Sequence, residues 1–272
     1  MDPTKPLLFI DASYLHFYRY HATILWFKNS KQVDPLPDDF DWFENEIYMT
    51  KLKKLYLPTI LRVLKKQKVT IPYENFIFAR DCPRQQIWRT QLFPEYKIQR
   101  QKIYQSSSWK GGPVLHYLSS TYLPELQKQY GFHVLKVDEL EADDIIACCV
   151  RKIQAIQPTR KIYIITNDHD YLQLITPNTI IVNLQNKLLN NKSCGDPQKD
   201  LLLKIILGDS SDNIPKCFQK CGIKTALKLV NNPELLQQKL QNPESNLLFT
   251  RNQQLIDFAY IPQDLQTKVF TL

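Results

Sequence analysis

The stretch FHVLKVDELEADDIIACCVRKIQAIQPTRKIYIITNDHDYLQL (residues 132–174) carries two short apolar runs, each followed by a cluster of acids. FHVLKV (132–137) precedes EADD (141–144), and IYII (162–165) ends immediately before TNDHD (166–170). Both runs have the length and β-branched content of strands, and residues 142–156 between them read as a helix. LLFI (7–10), FIFA (76–79) and IIV (180–182) repeat the strand pattern. All five read as strands buried on both faces, as in a parallel or mixed sheet. Helical periodicity recurs over 50–66 and 114–130, so strand and helix alternate and the fold class is α/β.

That alternation gives the acids a common location. In open α/β sheets, ligands bind outside the carboxyl ends of the strands. Asp11, Asp81 and Asp168 each fall just past a strand, and Asp143 and Asp144 open the helix after another. Glu141 and Asp144, three apart, share a helix face. Asp170 follows in NDHD, and Asp209 and Asp212 come from GDSSDN (208–213). A single aspartate after a strand is usually a cap or a turn residue. Capping does not account for so many at equivalent positions. Crowded carboxylates repel one another, and hard divalent cations with oxygen ligands relieve that repulsion. Two such ions, roughly 4 Å apart, can activate a water and stabilise the leaving oxygen of a phosphodiester. There is no G-x-S-x-G or Walker A sequence to suggest another chemistry. His169, inside the second cluster, reads as an exposed residue rather than a ligand.

The cations concentrate elsewhere. RDCPRQQIWRTQLFPEYKIQRQK (80–102) holds Arg80, Arg84, Arg89, Lys97, Arg100 and Lys102, with Trp88 and Tyr96 among them. Basic residues interleaved with aromatics suit contact with a nucleic-acid backbone and stacking on bases. SSSWKGGP (106–113) reads as a flexible segment able to close over a strand. Residues 28–48, polar and proline-dotted, read as a surface insertion with solvated acids. After about 200 the chain turns helical.

Composition agrees with this picture. The 272 residues are 43% hydrophobic, with a formal net charge of +8, so a packed core and a polyanionic partner are both expected. No apolar run reaches the length of a membrane span, and the N-terminus lacks a signal-peptide pattern. A soluble, intracellular protein is therefore expected. The six cysteines include no C-x-x-C pair, and Cys217 and Cys221 lack partners for a zinc site, which points to reduced, mostly buried thiols.

Six motifs in order, FIDAS (9–13), FARD (78–81), PEYKIQR (94–100), LEADDIIA (140–147), ITNDHDYLQL (165–174) and GDSSDNIP (208–215), resemble the 5′ nuclease superfamily of flap endonucleases and bacterial and bacteriophage 5′–3′ exonucleases. The resemblance runs from about residue 7 to 230. It implies a PIN-like catalytic domain over 1–195, with an arch at 101–130, and a helical DNA-binding part over 196–272. It implies two Mg²⁺ or Mn²⁺ ions held by Asp11, Asp81, Glu141, Asp143, Asp144, Asp168, Asp170, Asp209 and Asp212. Lys97 and Arg100 match the basic pair at the scissile phosphate, and Arg89 matches a further arginine. The implied substrates are DNA with 5′ ends, flaps or nicks, and RNA–DNA primers. The implied enzyme is a monomer with no polymerase domain in the chain, resembling phage and viral forms. PKCFQKCGIKTALKLV (215–230) departs from the family's glycine-rich helix–three-turn–helix and keeps only Gly222. That puts the family's K⁺ ion in doubt and shifts the expected duplex grip to Lys216, Lys220 and Lys224. Two other readings of the same residues are a non-catalytic junction-binding protein and a PIN-type ribonuclease.

Overall fold

The computed structural model describes residues 2, 4–31, 40–100 and 109–271. Five parallel strands form one sheet in the order β3-β2-β1-β4-β5, with β1 Leu7–Asp11, β2 Phe76–Arg80, β3 His133–Lys136, β4 Ile162–Ile165 and β5 Thr179–Val182. β1 lies at the centre, pairing Leu8 with Phe76 on one side and with Tyr163 on the other. The chain builds outward from β1 to β3, then returns to place β4 against the free side of β1. The junction of β1 and β4 is therefore the topological switch point, where such sheets bind ligands.

Alternation along the strands sends side chains to two cores. Leu8, Ile10, Phe76, Phe78 and Ile165 pack with helices Ala12–Lys31 and Glu46–Lys66 and with the run from Gly112 to Tyr130. Leu7, Phe9, Ile77, Ala79 and Ile164 pack on the opposite face with helix Ala142–Ile156 and with Phe258, Ile261, Leu265 and Val269 near the C-terminus. A third core joins Cys82, Ile87 and Tyr96 to helices Pro197–Leu207, Ile223–Val230 and Pro243–Ile256. The part after 196 thus packs on the sheet domain at two places.

Two expectations are corrected. β3 is an edge strand with half-buried side chains, since only β2 covers one of its sides. The segment 28–48 is not simply a surface insertion. Trp42 is buried and packs edge-on against Phe27 at 5.7 Å, Tyr48 is fully buried, and helix Ala12–Lys31 runs into the segment. Residues 32–39 lie outside the described residues. In the described part of the segment 101–130, Gly112–Tyr117, a π turn over Leu118–Tyr122 and Leu123–Tyr130 form one helical run. Val114, Leu118 and Leu123 bury it in the first core. Residues 101–108 lie outside the described residues.

Glycine has a particular role at the end of helix Pro197–Leu207. Gly208 has φ +65°, and a Cβ there would sit 2.4 Å from the Ile214 carbonyl oxygen. Gly131 also has positive φ, +74°, with open space around its Cα. Gly131→Ala is therefore expected to cost only the conformational penalty of about 1 kcal/mol. Gly208→Ala adds a backbone clash, for a total of roughly 2–4 kcal/mol. Urea unfolding of the two variants checks the ranking, and equal losses would contradict it.

Candidate active site

At the carboxyl edge of the sheet, acids from five chain segments converge. Asp11 ends β1, and its side chain accepts the Tyr14 amide at 2.9 Å. Asp81 follows β2 and accepts the Ala142 amide at 2.8 Å and the Ser13 hydroxyl. One carboxylate thus ties together the ends of β1 and β2 and the start of helix Ala142–Ile156. Asp143 sits in the first turn of that helix. Asp168, past β4, caps a 3₁₀ turn by accepting the Asp170 amide at 2.9 Å. Asp11, Asp81, Glu141, Asp143, Asp168 and Asp209 all line one cavity of 1140 Å³. Tyr14, Phe17, Trp109 and Leu115 form an apolar side of the same cavity.

Beneath this row lies a buried ionic cluster. Glu141 is the N-cap of the helix and exchanges capping contacts with Asp144. Arg89 donates to Asp144 through both terminal nitrogens, at 2.7 and 2.6 Å, to Glu141 at 3.1 Å, and through Nε to the Leu255 carbonyl at 2.7 Å. Trp88 Nε1 donates to Asp144 at 3.0 Å, and the Tyr96 hydroxyl to Glu141 at 2.9 Å. Lys97 Nζ is 2.5 Å from Glu141 and 3.5 Å from Asp212, and Arg100 Nη2 is 2.6 Å from Asp212.

Several assignments change in this light. Asp144 is fully buried and bonded to Arg89, yet single oxygens of Glu141, Asp143 and Asp144 lie within 4.8 Å of one another, close enough for one ion. Arg89 is only 2% exposed, with its donors used internally, so it does not reach a substrate. Trp88 and Tyr96 are core residues, not stacking platforms. Glu141 is largely neutralised by Lys97 and Arg89, whereas burial still raises the Asp212 carboxyl although Lys97 and Arg100 pair with it. Sequence composition did not separate these roles, because a basic run interleaved with aromatics reads the same whether it faces solvent or interior acids.

The remaining basic candidates are dispersed. Arg84 lines the cavity and donates to the Tyr96 carbonyl at 3.0 Å. Half-buried Arg80 ends β2 outside the cavity lining. Lys216, Lys220 and Lys224 are exposed around the turn between helices Pro197–Leu207 and Ile223–Val230. Lys102 lies outside the described residues.

One cavity residue escaped the sequence reading. Lys204 pairs with Asp170, with Asp209 at 3.0 Å and with Asp168 at 3.9 Å. The signal for it was the lone charge in the apolar run LLLKIIL (201–207), since a lysine so placed is partnered or snorkels.

Electrostatics divides the acids. Burial, with the nearby Asp81 charge, raises the Asp11 carboxyl to about 7. Burial and the charges of Asp144 and Glu141 push Asp143 well above the usual carboxylate range. Burial also acts upward on Glu141 and Asp209. Lys97 and Arg89 nonetheless hold Glu141 at about 2, and Lys204 and Ser211 hold Asp209 at about 2. Among the described residues no ion pair relieves Asp11, Asp81 or Asp143. An all-oxygen, mutually repelling set of this kind fits a hard divalent cation. Single oxygens of Asp170, Asp209 and Asp212 also lie within 4.8 Å of one another, close enough for a second.

The model of the 5′-3′ exonuclease N-terminal resolvase-like domain matches residues 6–198. The chain belongs to the 5′-3′ exonuclease family. A 5′-3′ exonuclease of Buchnera aphidicola is 30% identical over 232 residues, covering 83% of this chain and 70% of the relative. The protein named ribonuclease H of Enterobacteria phage T4 is 27% identical over 242 residues, covering 83% and 78%. The zinc-bound phage T5 5′-exonuclease has a TM-score of 0.66 at 20% identity, covering 97% of each chain. That structural likeness extends to the whole fold of this 5′-3′ exonuclease family member.

Two outcomes follow from the charges. Arg89→Met leaves Asp144 buried without its partner, and a loss of about 3–5 kcal/mol is expected. Chemical denaturation measures it, and a loss below about 1 kcal/mol would contradict the role given to Arg89. Asp11, raised to about 7, must release a proton when a cation binds below that value. Divalent-metal affinity should therefore rise with pH through about 7. Isothermal titration in buffers of different ionisation enthalpy reads both affinity and proton release. A flat profile between pH 5 and 7 would contradict the shift.

Proposed function

We propose that this 5′-3′ exonuclease family member is a divalent-metal-dependent nuclease that hydrolyses phosphodiesters at 5′ ends, nicks and 5′ flaps, acting as a monomer with Mg²⁺ or Mn²⁺. The observation that carries the reading is the uncompensated group Asp11, Asp81 and Asp143, which faces a cavity at the switch point of the sheet. These three, with Glu141 and Asp144 beside Asp143, would hold one ion, and Asp170, Asp209 and Asp212, with Asp168 beside them, a second. When bound, such a pair supplies an activated water and stabilises the leaving oxygen. Glu141, Asp144 and Asp212 also hold side-chain cations. Glu141 and Asp212 keep Lys97 and Arg100 at the cavity edge, where a phosphate would meet them. Arg100 is the more accessible, its side chain 43% exposed.

Lys216, Lys220 and Lys224 are suited to grip the duplex backbone, as an electrostatic contact without base reading. The apolar side of the cavity is suited to a single strand leaving that duplex. A phage T5 flap endonuclease of the same fold is known in complex with DNA and metal ions, at a TM-score of 0.65 and 20% identity. The name of the phage T4 relative keeps RNA primers within the proposed substrates. Among the described residues no helix is long and apolar enough to cross a membrane.

Asp143→Ala and Asp168→Ala are expected to abolish Mg²⁺-dependent cleavage, by about 10³-fold or more as for loss of a principal electrostatic stabiliser, while flap binding persists. Product mapping on 5′-labelled flap, nicked and RNA-primed duplexes with each variant tests this. Undiminished cleavage by both variants would sink the metal assignment. Flap binding by the unmodified chain with no turnover in Mg²⁺ or Mn²⁺ would favour a junction-binding protein instead.

A further inference from the structure

The two halves of the acid row are compensated differently. Asp11, Asp81 and Asp143 have no ion pair among the described residues, whereas Asp168, Asp170 and Asp209 share the single ammonium of Lys204. Lys204 lies in the last turn of helix Pro197–Leu207, which Leu201, Ile205 and Ile206 seat in the third core. The helix therefore fixes where the lysine stem begins. Its side chain is 18% exposed, and its charge sits between acids from two chain segments. Asp212, the remaining acid of this half, is already engaged by Arg100 and Lys97.

We propose that the Lys204 ammonium is a built-in counter-ion standing in the place of the second divalent cation, so that this cation binds only by displacing it. The inference rests on the two-cation reading above and goes beyond it by making occupancy of the second position conditional. An ammonium approaches carboxylate oxygens at about 2.8 Å, whereas Mg²⁺ requires them at about 2.0–2.1 Å. The same oxygens cannot satisfy both. A displaced lysine, on a flexible four-carbon stem, needs another anion, and a phosphodiester entering the cavity provides one. By linkage, a ligand that takes the ammonium strengthens the second cation, and the second cation strengthens that ligand. The first position carries no such condition. The chain would then hold one cation firmly at rest and load the second together with its substrate.

Titration with Mn²⁺ in the absence of nucleic acid tests this, with the full chain at pH 7.5 followed by calorimetry. In the unmodified protein the second ion is expected to bind at least about tenfold more weakly than the first. Lys204→Met, which keeps the stem and removes the charge, should tighten the second ion by about tenfold or more and leave the first within about threefold. Lys204→Arg keeps the charge and should keep the second ion weak. If Lys204→Met does not fold without metal, Lys204→Gln carries the same expectation. Second-ion binding that is unchanged or weaker in the uncharged variants overturns the inference and leaves the two-cation reading intact. Absence of any Mn²⁺ binding by the unmodified chain overturns both.

Discussion

Mutual repulsion among carboxylates at the carboxyl edge of the sheet is the constraint on which this structure depends. Two carboxylates about 4 Å apart cost about 4 kcal/mol at the effective dielectric of a protein surface. Nine acids from distant segments meet around one row of strand ends, and no fold keeps them there uncompensated. Arg89 balances the deepest, Asp144, and shares Glu141 with Lys97. Lys97 and Arg100 balance Asp212, and Lys204 balances Asp168, Asp170 and Asp209. What remains is the group Asp11, Asp81 and Asp143. Burial and like charge disfavour the ionised forms of Asp11 and Asp143, so a cation entering there relieves strain already present in the fold.

The same ionic cluster holds the chain's two parts together. Arg89 contacts Asp144 and Glu141 at the start of helix Ala142–Ile156 and also the Leu255 carbonyl of helix Pro243–Ile256. The strap over 82–100 is pinned on both sides: Trp88 donates its amide to the Glu139 carbonyl, and Lys97 to the Asp212 carbonyl. Position and charge are thus set by one set of contacts. The helical part expected to hold duplex is fastened to the acids by hydrogen bonds and not only by apolar packing.

The sheet was legible because five apolar runs, each followed by polar residues, leave little choice but strands of a parallel sheet. The acids were legible because that sheet assigns their positions a common edge. Roles within the acid set were not legible. Asp143 and Asp144 are adjacent letters, yet one faces the cavity and the other a buried arginine, a difference set by helix phase and by where residue 89 happens to pack. The basic run 80–102 was misread for a related reason: Arg89, Trp88 and Tyr96 fit solvent or interior equally well until their partners are known. The buried spacing of Val114, Leu118 and Leu123 in the run from Gly112 to Tyr130 was not legible as packing, because apolar residues at helical spacing do not say which core they meet. In the segment 28–48, prolines and acids masked two aromatic anchors, Trp42 and Tyr48.

Lys204 shows why such a site needs more than its ligands. Three carboxylates around an ammonium are stable without a metal, so this half of the edge does not depend on cation supply to fold. The other half is left without that safeguard, and the Asp11 carboxyl rises to about 7 and that of Asp143 well above the usual range until a cation displaces their protons. One row of acids therefore responds to two different competitors, a proton at Asp11 and an ammonium at Asp170 and Asp209. Proton competition is set by the solution, whereas ammonium competition is set by whatever else in the cavity attracts Lys204. A phosphate backbone is the partner that the surrounding charges favour, which makes assembly of the second half sensitive to substrate in a way that the first half is not.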